Sequence, residues 1–291
     1  MGFIVEAIIN GILTGGIYAL MASGLTLIFG VLDIINIAQG ALVILGAYLS
    51  YFLQQRLQID LFFGLLITMP VMFVLGLLIE WLFIRPIKRD RVMFSLLVMF
   101  GVALIIEGVL NLIFTADYVQ PHAWYMTASF RVGGFYLTYI YVFSFLLAVV
   151  LLGALYLLVY RTKFGYSLRA SMENRTAAEL IGIDVERVAM ITFGIGVALA
   201  AAGGMAFGAT NAFDAGSAYD LISRLLAIII FGGMGSLSGA LIASLGMLVI
   251  EDITVAIWSP VWASTVFFVL LVIILVTRPQ GLLGQAEGRK Q

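Results

Sequence analysis

The sequence predicts an all-α, polytopic membrane helix bundle of about eight or nine spanning segments. Three observations predict it. Hydrophobic residues make up 63% of the 291 and charged residues only 11%. The mean hydropathy of +1.14 implies more apolar surface than a soluble domain can bury. Apolar runs of the length a bilayer needs, about 20 residues each, follow one another with short polar joints and leave no room for a sizeable extramembrane domain. The chain therefore reads as a single transmembrane domain over 1–291, with one polar loop, 164–188, expected in the cytoplasm.

The segments follow in order. The first covers about Ile4–Phe29; its lead-in holds Glu6 but no Lys or Arg, so it lacks the basic start of a secretory signal and reads as a retained helix. The second covers about Ile35–Leu53, the third Leu61–Ile84 and the fourth Met93–Phe114. A polar stretch, Thr115–Gly134, precedes the fifth at Leu137–Tyr160. After the charged loop come Val188–Gly208, a second polar stretch Asn211–Arg224, a short apolar run Leu225–Met234, and two further segments, Ala240–Ile257 and Trp262–Val276.

Basic residues mark the cytoplasmic side of a membrane protein. Arg85, Lys88, Arg89 and Arg91 form one group; Arg161, Lys163, Arg169, Arg175 and Arg187 a second; Arg278, Arg289 and Lys290 a third. Placing all three inside puts the N-terminus outside and the C-terminus in the cytoplasm. Leu225–Met234 must then cross inward, starting near Asp220, as a short helix broken over Gly232, Gly233 and Gly235. Broken helices survive at membrane depth only inside protein or beside a water-filled path. A faint internal echo supports the break: Phe29-Gly30 precedes Gly40-Ala-Leu-Val43 as Phe231-Gly232 precedes Gly239-Ala-Leu-Ile242. Transporters are often built from such repeats.

The composition excludes several chemistries. There are no cysteines and one histidine, His122, so disulfides, thiolate metal sites and a zinc centre are not expected. Gly232-Gly-Met-Gly-Ser-Leu-Ser-Gly239 lacks the lysine of a phosphate-binding loop, so no nucleotide is expected on this chain. A net charge of −1 gives no reason to expect nucleic acid. No nucleophile–base pair is visible, which argues against a membrane enzyme.

Four polar features remain. The 31 glycines include Gly11, Gly15, Gly16, Gly194, Gly196, Gly203, Gly204 and Gly208 at helical spacings, which suit close helix packing or a flexible wall. Asp33, Asn36, Gln39 and Gly40 open the second segment, where Asp33 or Asn36 could cap a helix, or Asn36 and Gln39 could line a path. Glu107, with Asn111 one turn on, is the deepest ionisable residue; it is either a path residue or a carboxylate hydrogen-bonded to a neighbouring helix. A gradient-driven carrier would need such carboxylates for coupling, and Glu107 is the one good candidate. Glu251 and Asp252 read as solvated residues near the outer end of their segment. In the polar loop, Thr176-Ala-Ala-Glu-Leu-Ile-Gly182 is amphipathic and ends on a capping glycine, the pattern of a docking helix rather than a solvated one.

These residues carry a resemblance. Gly16-Ile-Tyr-Ala-Leu20, Phe29-Gly-Val-Leu-Asp-Ile-Ile-Asn-Ile-Ala-Gln-Gly40, Glu80-Trp-Leu-Phe-Ile-Arg-Pro86, Gly165-Tyr-Ser-Leu-Arg-Ala170, Ala178-Glu-Leu-Ile-Gly-Ile183, Phe231-Gly-Gly-Met-Gly-Ser-Leu-Ser-Gly-Ala240 and Arg278-Pro-Gln-Gly-Leu-Leu-Gly284 stand in order along nearly the whole chain. The ordered set resembles the first membrane permease of the branched-chain amino acid ABC importers, a group that includes urea and short-amide importers. The resemblance implies a bacterial inner-membrane complex in which this chain forms half of the pore. Its partners would be a second homologous permease, two ATP-binding subunits that carry Mg-ATP, a periplasmic solute-binding protein and the surrounding lipid. It also implies a coupling helix in the polar loop: Arg169, Glu173 and Arg175 as polar anchors, Ala177, Ala178 and Leu180 as the packed face, Gly182 at its end, and Thr176 where relatives carry glutamate. Gln39 stands where many relatives carry histidine. The expected path residues are Asn36, Gln39, Gly40, Glu107 and Asn111.

Overall fold

The computed structural model describes residues 2–87, 90–132 and 135–284. Lys88, Arg89, Arg289 and Lys290 of the basic groups, and Gly133 and Gly134 of the first polar stretch, lie outside these residues. The helices are α1 (Gly2–Leu32), α2 (Gln39–Leu57), α3 (Leu61–Ile79, continued by a π-helical turn Glu80–Ile84) and α4 (Arg91–Phe114). A short α5 (Trp124–Thr127) leads into a hairpin of β1 (Ser129–Val132) and β2 (Phe135–Thr138). Then come α6 (Tyr139–Arg161), α7 (Lys163–Glu173), α8 (Arg175–Leu180), α9 (Val185–Thr210), α10 (Ser217–Gly232), α11 (Leu237–Ile257) and α12 (Pro260–Thr277).

Among the described residues, seven helices are long and apolar enough to cross a membrane: α1, α3 with its π turn, α4, α6, α9, α11 and α12. The protein is a multi-pass membrane helix bundle. The second and seventh expected segments are not among the seven: α2 ends in the polar run Gln54-Gln-Arg56, and α10 has only 16 residues. The hairpin is a departure from an all-α chain. It pairs Ser129 with Thr138 in antiparallel register and delays the fifth segment from Leu137 to Tyr139.

Two helix starts also differ from expectation. Asp33 takes φ +53° and residues 33–38 leave the helix, so α2 begins at Gln39. Its N-cap is Ala38, without a side-chain cap, so neither Asp33 nor Asn36 caps it. The helix α10 begins earlier, at Ser217, inside the stretch expected to be a polar loop. Asp214 accepts hydrogen bonds from Ser217 N at 2.9 Å and Ser217 Oγ at 2.6 Å, which organises the first turn. Ala218, Leu221, Ile222 and Leu225 then fall at helical spacing on its buried face.

The core is built on glycine-mediated contact. A Cβ on Gly24 of α1 would lie 2.6 Å from the Gly196 carbonyl of α9, and one on Gly196 would lie 2.8 Å from the Gly24 carbonyl. One on Gly11 would lie 2.5 Å from Val249 Cα of α11. Backbones this close exclude any side chain and let dispersion and Cα–H contacts hold the helices together where lipid gives no hydrophobic drive. The glycine stripes are packing surfaces: α9 lies against α1, α2 and α3, and α1 lies along α11.

Contacts between distant segments sort the loops onto two ends. At one end Arg85 pairs with Glu186, Met172 meets Gly30, and Leu282 and Leu283 meet the last turn of α10. The described members of the three basic groups therefore share an end. At the other end Gln54 exchanges hydrogen bonds with the His122 backbone, and Val119 bridges to Phe213, so the two polar stretches lie together. There Tyr125 donates to Asp60 at 2.9 Å; burial first, and that bond second, push its hydroxyl pKa well above the ordinary phenol range.

Candidate functional site

At the basic end the polar loop folds into two helices. Thr162 caps α7 by accepting from Gly165 N at 3.0 Å, and Asn174 caps α8 by accepting from Ala177 N at 3.0 Å. Gly182 closes α8 with φ +88°, a conformation that favours glycine, as the sequence predicts. The expected packed face is only partly available. Ala178 is 2% exposed and buried against its own chain, whereas Ala177 is exposed and Leu180 and Ile181 are 83% and 76% exposed. Of the expected anchors, Arg169 is clamped between the rings of Tyr160 and Tyr166, at 5.1 and 4.9 Å from their centroids. Arg175 pairs with Glu179 at 3.3 Å, and Glu173 and Thr176 are exposed.

The same loop meets the end of α1 beside the second helix break. A Cβ on Gly30, near the end of α1, would overlap Cε of Met172 and lie 3.8 Å from Cα of Gly235. Met172 of α7 thus sits where the end of α1 meets the break between α10 and α11. That break begins at Gly233, with φ +100°, and passes Gly235 at φ +81°. It is closed by the segment after α12: Leu282 N donates to the Phe231 carbonyl at 2.8 Å and Leu283 N to the Gly232 carbonyl at 3.0 Å. These are carbonyls that a helix end leaves without intrahelical partners.

The expected path residues divide into two sets. Asn36 and Gln39 are both fully buried. Asn36 Nδ2 donates to Gln39 Oε1 at 3.0 Å, and Gln39 Nε2 reaches the Gly196 carbonyl at 3.4 Å, in the middle of α9. Among the described residues, Asn36 Oδ1 has no hydrogen-bond partner. Gly40 presses its backbone on Ala218 and Ile222, so α2 and α10 start side by side. On the far side of that first turn of α10, Tyr219 donates to Glu107 Oε2 at 2.5 Å, so Glu107 is hydrogen-bonded to a neighbouring helix. Asn111 is exposed and not part of that pair. The first turn of α10 therefore separates the buried Asn36–Gln39 pair from the accessible Glu107–Tyr219 pair.

The sequence reading missed one cluster. Glu251 is 8% exposed rather than solvated, and accepts from Arg224 Nη1 at 2.6 and 2.8 Å through its two oxygens. Arg224 Nε donates to Asp220 at 3.0 Å, Nη2 donates to Ser264 at 3.2 Å, and the guanidinium lies 5.6 Å from the Phe267 ring centroid. A buried charge needs this degree of compensation. The signal was present: Asp220 and Arg224 stand one helical turn apart, and Arg224 belongs to none of the three basic groups. Among the described residues, no group of three His, Cys, Asp or Glu is placed to hold a metal ion.

Comparison with known proteins fits this architecture. The model of the family described as branched-chain amino acid transport system / permease component matches residues 7–275. The chain belongs to that family. It is 27% identical to the high-affinity branched-chain amino acid transport system permease protein LivH of Escherichia coli (strain K12), over 99% of this chain and 98% of that protein. It is 30% identical to a probable branched-chain amino acid transport permease protein LivH of Methanocaldococcus jannaschii, over 94% and 91%. It is 25% identical to the permease protein BraD of Pseudomonas aeruginosa, over 98% and 97%. No solved structure matches.

Proposed function

We propose that this chain is one permease of an ABC importer for branched-chain or other hydrophobic amino acids, in a bacterial inner membrane, and that α7 and α8 receive the drive from its ATPases. The observation that carries the reading is the ordered pair of capped helices at the basic end, with Leu180 and Ile181 exposed beyond the bundle on one side and Met172 packed on Gly30 at the end of α1 on the other. Two large aliphatic side chains left bare on a polar loop fit a protein groove better than water. A displacement of α7 reaches α1 directly through Met172, and the end of α1 lies against the break that follows α10.

The complete importer pairs this chain with a second homologous permease, two subunits that bind Mg-ATP, and a periplasmic binding protein over the stretches 115–134 and 211–216. The ATPases must bind the inward- and outward-open states with different affinity for ATP to drive the change. The N-terminus lies outside and the C-terminus in the cytoplasm, with α2 and α10 completing nine crossings.

The test is co-expression with the neighbouring permease and ATPase genes, purification through a tag on this chain, and assay of ATP hydrolysis and leucine uptake. Leu180→Asp is the informative variant, because its side chain is already exposed; Ala178→Arg would disrupt the loop itself. The expected result is loss of bound ATPase, or hydrolysis without uptake, at an unchanged melting temperature of the permease. Unaltered coupling in Leu180→Asp sinks the assignment of α8.

A further inference from the structure

We propose that the exposed polar face of α10, formed by Tyr219, Asp220 and Ser223 and extended by Glu107 of α4, is the wall of the aqueous translocation path and takes a solute that carries an ammonium group. The inference rests on the importer reading, since it supposes that a solute crosses.

The argument starts from what else is exposed. Along the spanning helices, outward side chains are apolar where they meet lipid: Leu66 and Val71 on α3, Leu112 on α4, Val150 on α6, Val272 on α12. The outer half of α10 breaks that rule. Tyr219 is 47% exposed, and the Asp220 side chain is 68% exposed. Ser223, one turn on, is also exposed, and its hydroxyl turns back to donate to the Tyr219 carbonyl at 2.8 Å. A hydroxyl, a phenol and two carboxylates on one surface of a membrane bundle do not face hydrocarbon; they face a water-filled cavity or protein.

The position of α10 suits a path wall. Its first turn lies against Gly40, it meets α4 through Glu107, and it meets α12 through Ser264, so its free face opens between α4 and α12. The face then becomes less polar toward the cytoplasmic end, where Leu226 and Ile230 are half-buried. The charge on the face is acidic: Arg224, with 14% of its side chain exposed, holds Glu251 through Nη1 and one oxygen of Asp220 through Nε, while the Asp220 side chain stays 68% exposed and Glu107 remains accessible. Two carboxylates beside hydroxyls can accept hydrogen bonds from an ammonium group.

The absence of cysteine from the chain makes the test direct. Ser223→Cys and, as the lipid-facing comparison, Leu112→Cys are placed in the assembled importer in sealed membranes. Each is exposed to a membrane-impermeant methanethiosulfonate with and without ATP plus vanadate. Ser223→Cys is expected to react in at least one state, and high leucine to slow that reaction severalfold, while 4-methylpentanoate, which lacks the amine, does not. Leu112→Cys is expected to react only with a lipid-soluble maleimide. If Ser223→Cys behaves as Leu112→Cys does in every state, in a complex that imports leucine, the wall is wrong and the importer reading survives. Equal protection by leucine and 4-methylpentanoate overturns the ammonium contact. Water access to Ser223→Cys in an assembled complex that imports no amino acid upholds the wall and sinks the importer reading instead.

Discussion

The two breaks in this bundle solve one problem in different ways. Between α1 and α2 the chain leaves the helix over residues 33–38 and is supported by buried side chains, Asn36 and Gln39, of which one oxygen has no partner among the described residues. Between α10 and α11 it leaves over 233–236 and is supported by backbone, with Leu282 and Leu283 donating to the exposed carbonyls of Phe231 and Gly232. Side-chain support is specific to residue type. Backbone support tolerates any residue with an N–H but demands the right path, which Gly233 and Gly281 supply with φ of +100° and +77°. The difference teaches that sequence constraint at a membrane break need not sit at the break itself.

Four substitutions sharpen this comparison, from the largest effect to the smallest, each read as the thermal stability of the detergent-solubilised complex. Glu251→Ala strands Arg224 in the bundle and loosens α10 above its break; stranding a buried charge costs about 3–5 kcal/mol. A variant as stable as the wild type would mean that water reaches Arg224. Gly40→Val drives a side chain into the Ala218 backbone and should destabilise by about 3 kcal/mol, the upper end of ordinary overpacking. An unchanged melting curve there would show that α2 and α10 do not start in contact.

Leu282→Pro removes the donor to the Phe231 carbonyl and is expected to cost about 1–3 kcal/mol. Leu282→Ala, which keeps the N–H, isolates that bond. Equal losses in the two would return the support of the second break to side chains. Asn36→Leu is expected to change stability by less than about 1 kcal/mol, because it removes an unpaired oxygen while leaving Gln39 Oε1 without its donor. A loss as large as that of Gly40→Val would reveal a partner for Asn36 Oδ1, such as bound water.

Much of the frame was legible in the sequence. The third segment, Leu61–Ile84, is present as α3 and its π turn, and the end of the short helix falls at Gly232 as the glycine pair requires. Gly30, in the first half of the echo, lies beside Gly235 of the second break. The starts of α2 and α10 were not legible. Hydropathy marks residues that face lipid, and both starts carry polar residues for other reasons: Asn36 and Gln39 turn inward, while Tyr219 and Asp220 turn to an open face. The spacing of Asp220 and Arg224 singles out Arg224, but its partner Glu251 escaped for a related reason. Arg224 and Glu251 lie on different helices, and no periodicity in either helix records the other. Ala178 was assigned to a partner because a small residue looks the same whether it packs on its own chain or on another.

The fastening of α10 by Leu282 and Leu283 carries a consequence in time. Synthesis runs from α10 through α11 and α12 before it reaches these donors. For that interval the carbonyls of Phe231 and Gly232 have no such bond, and the C-terminal end of α10 can still shift. The helix that presents Tyr219 and Ser223 is thus among the last to be locked, which lets its neighbours settle before its position becomes final.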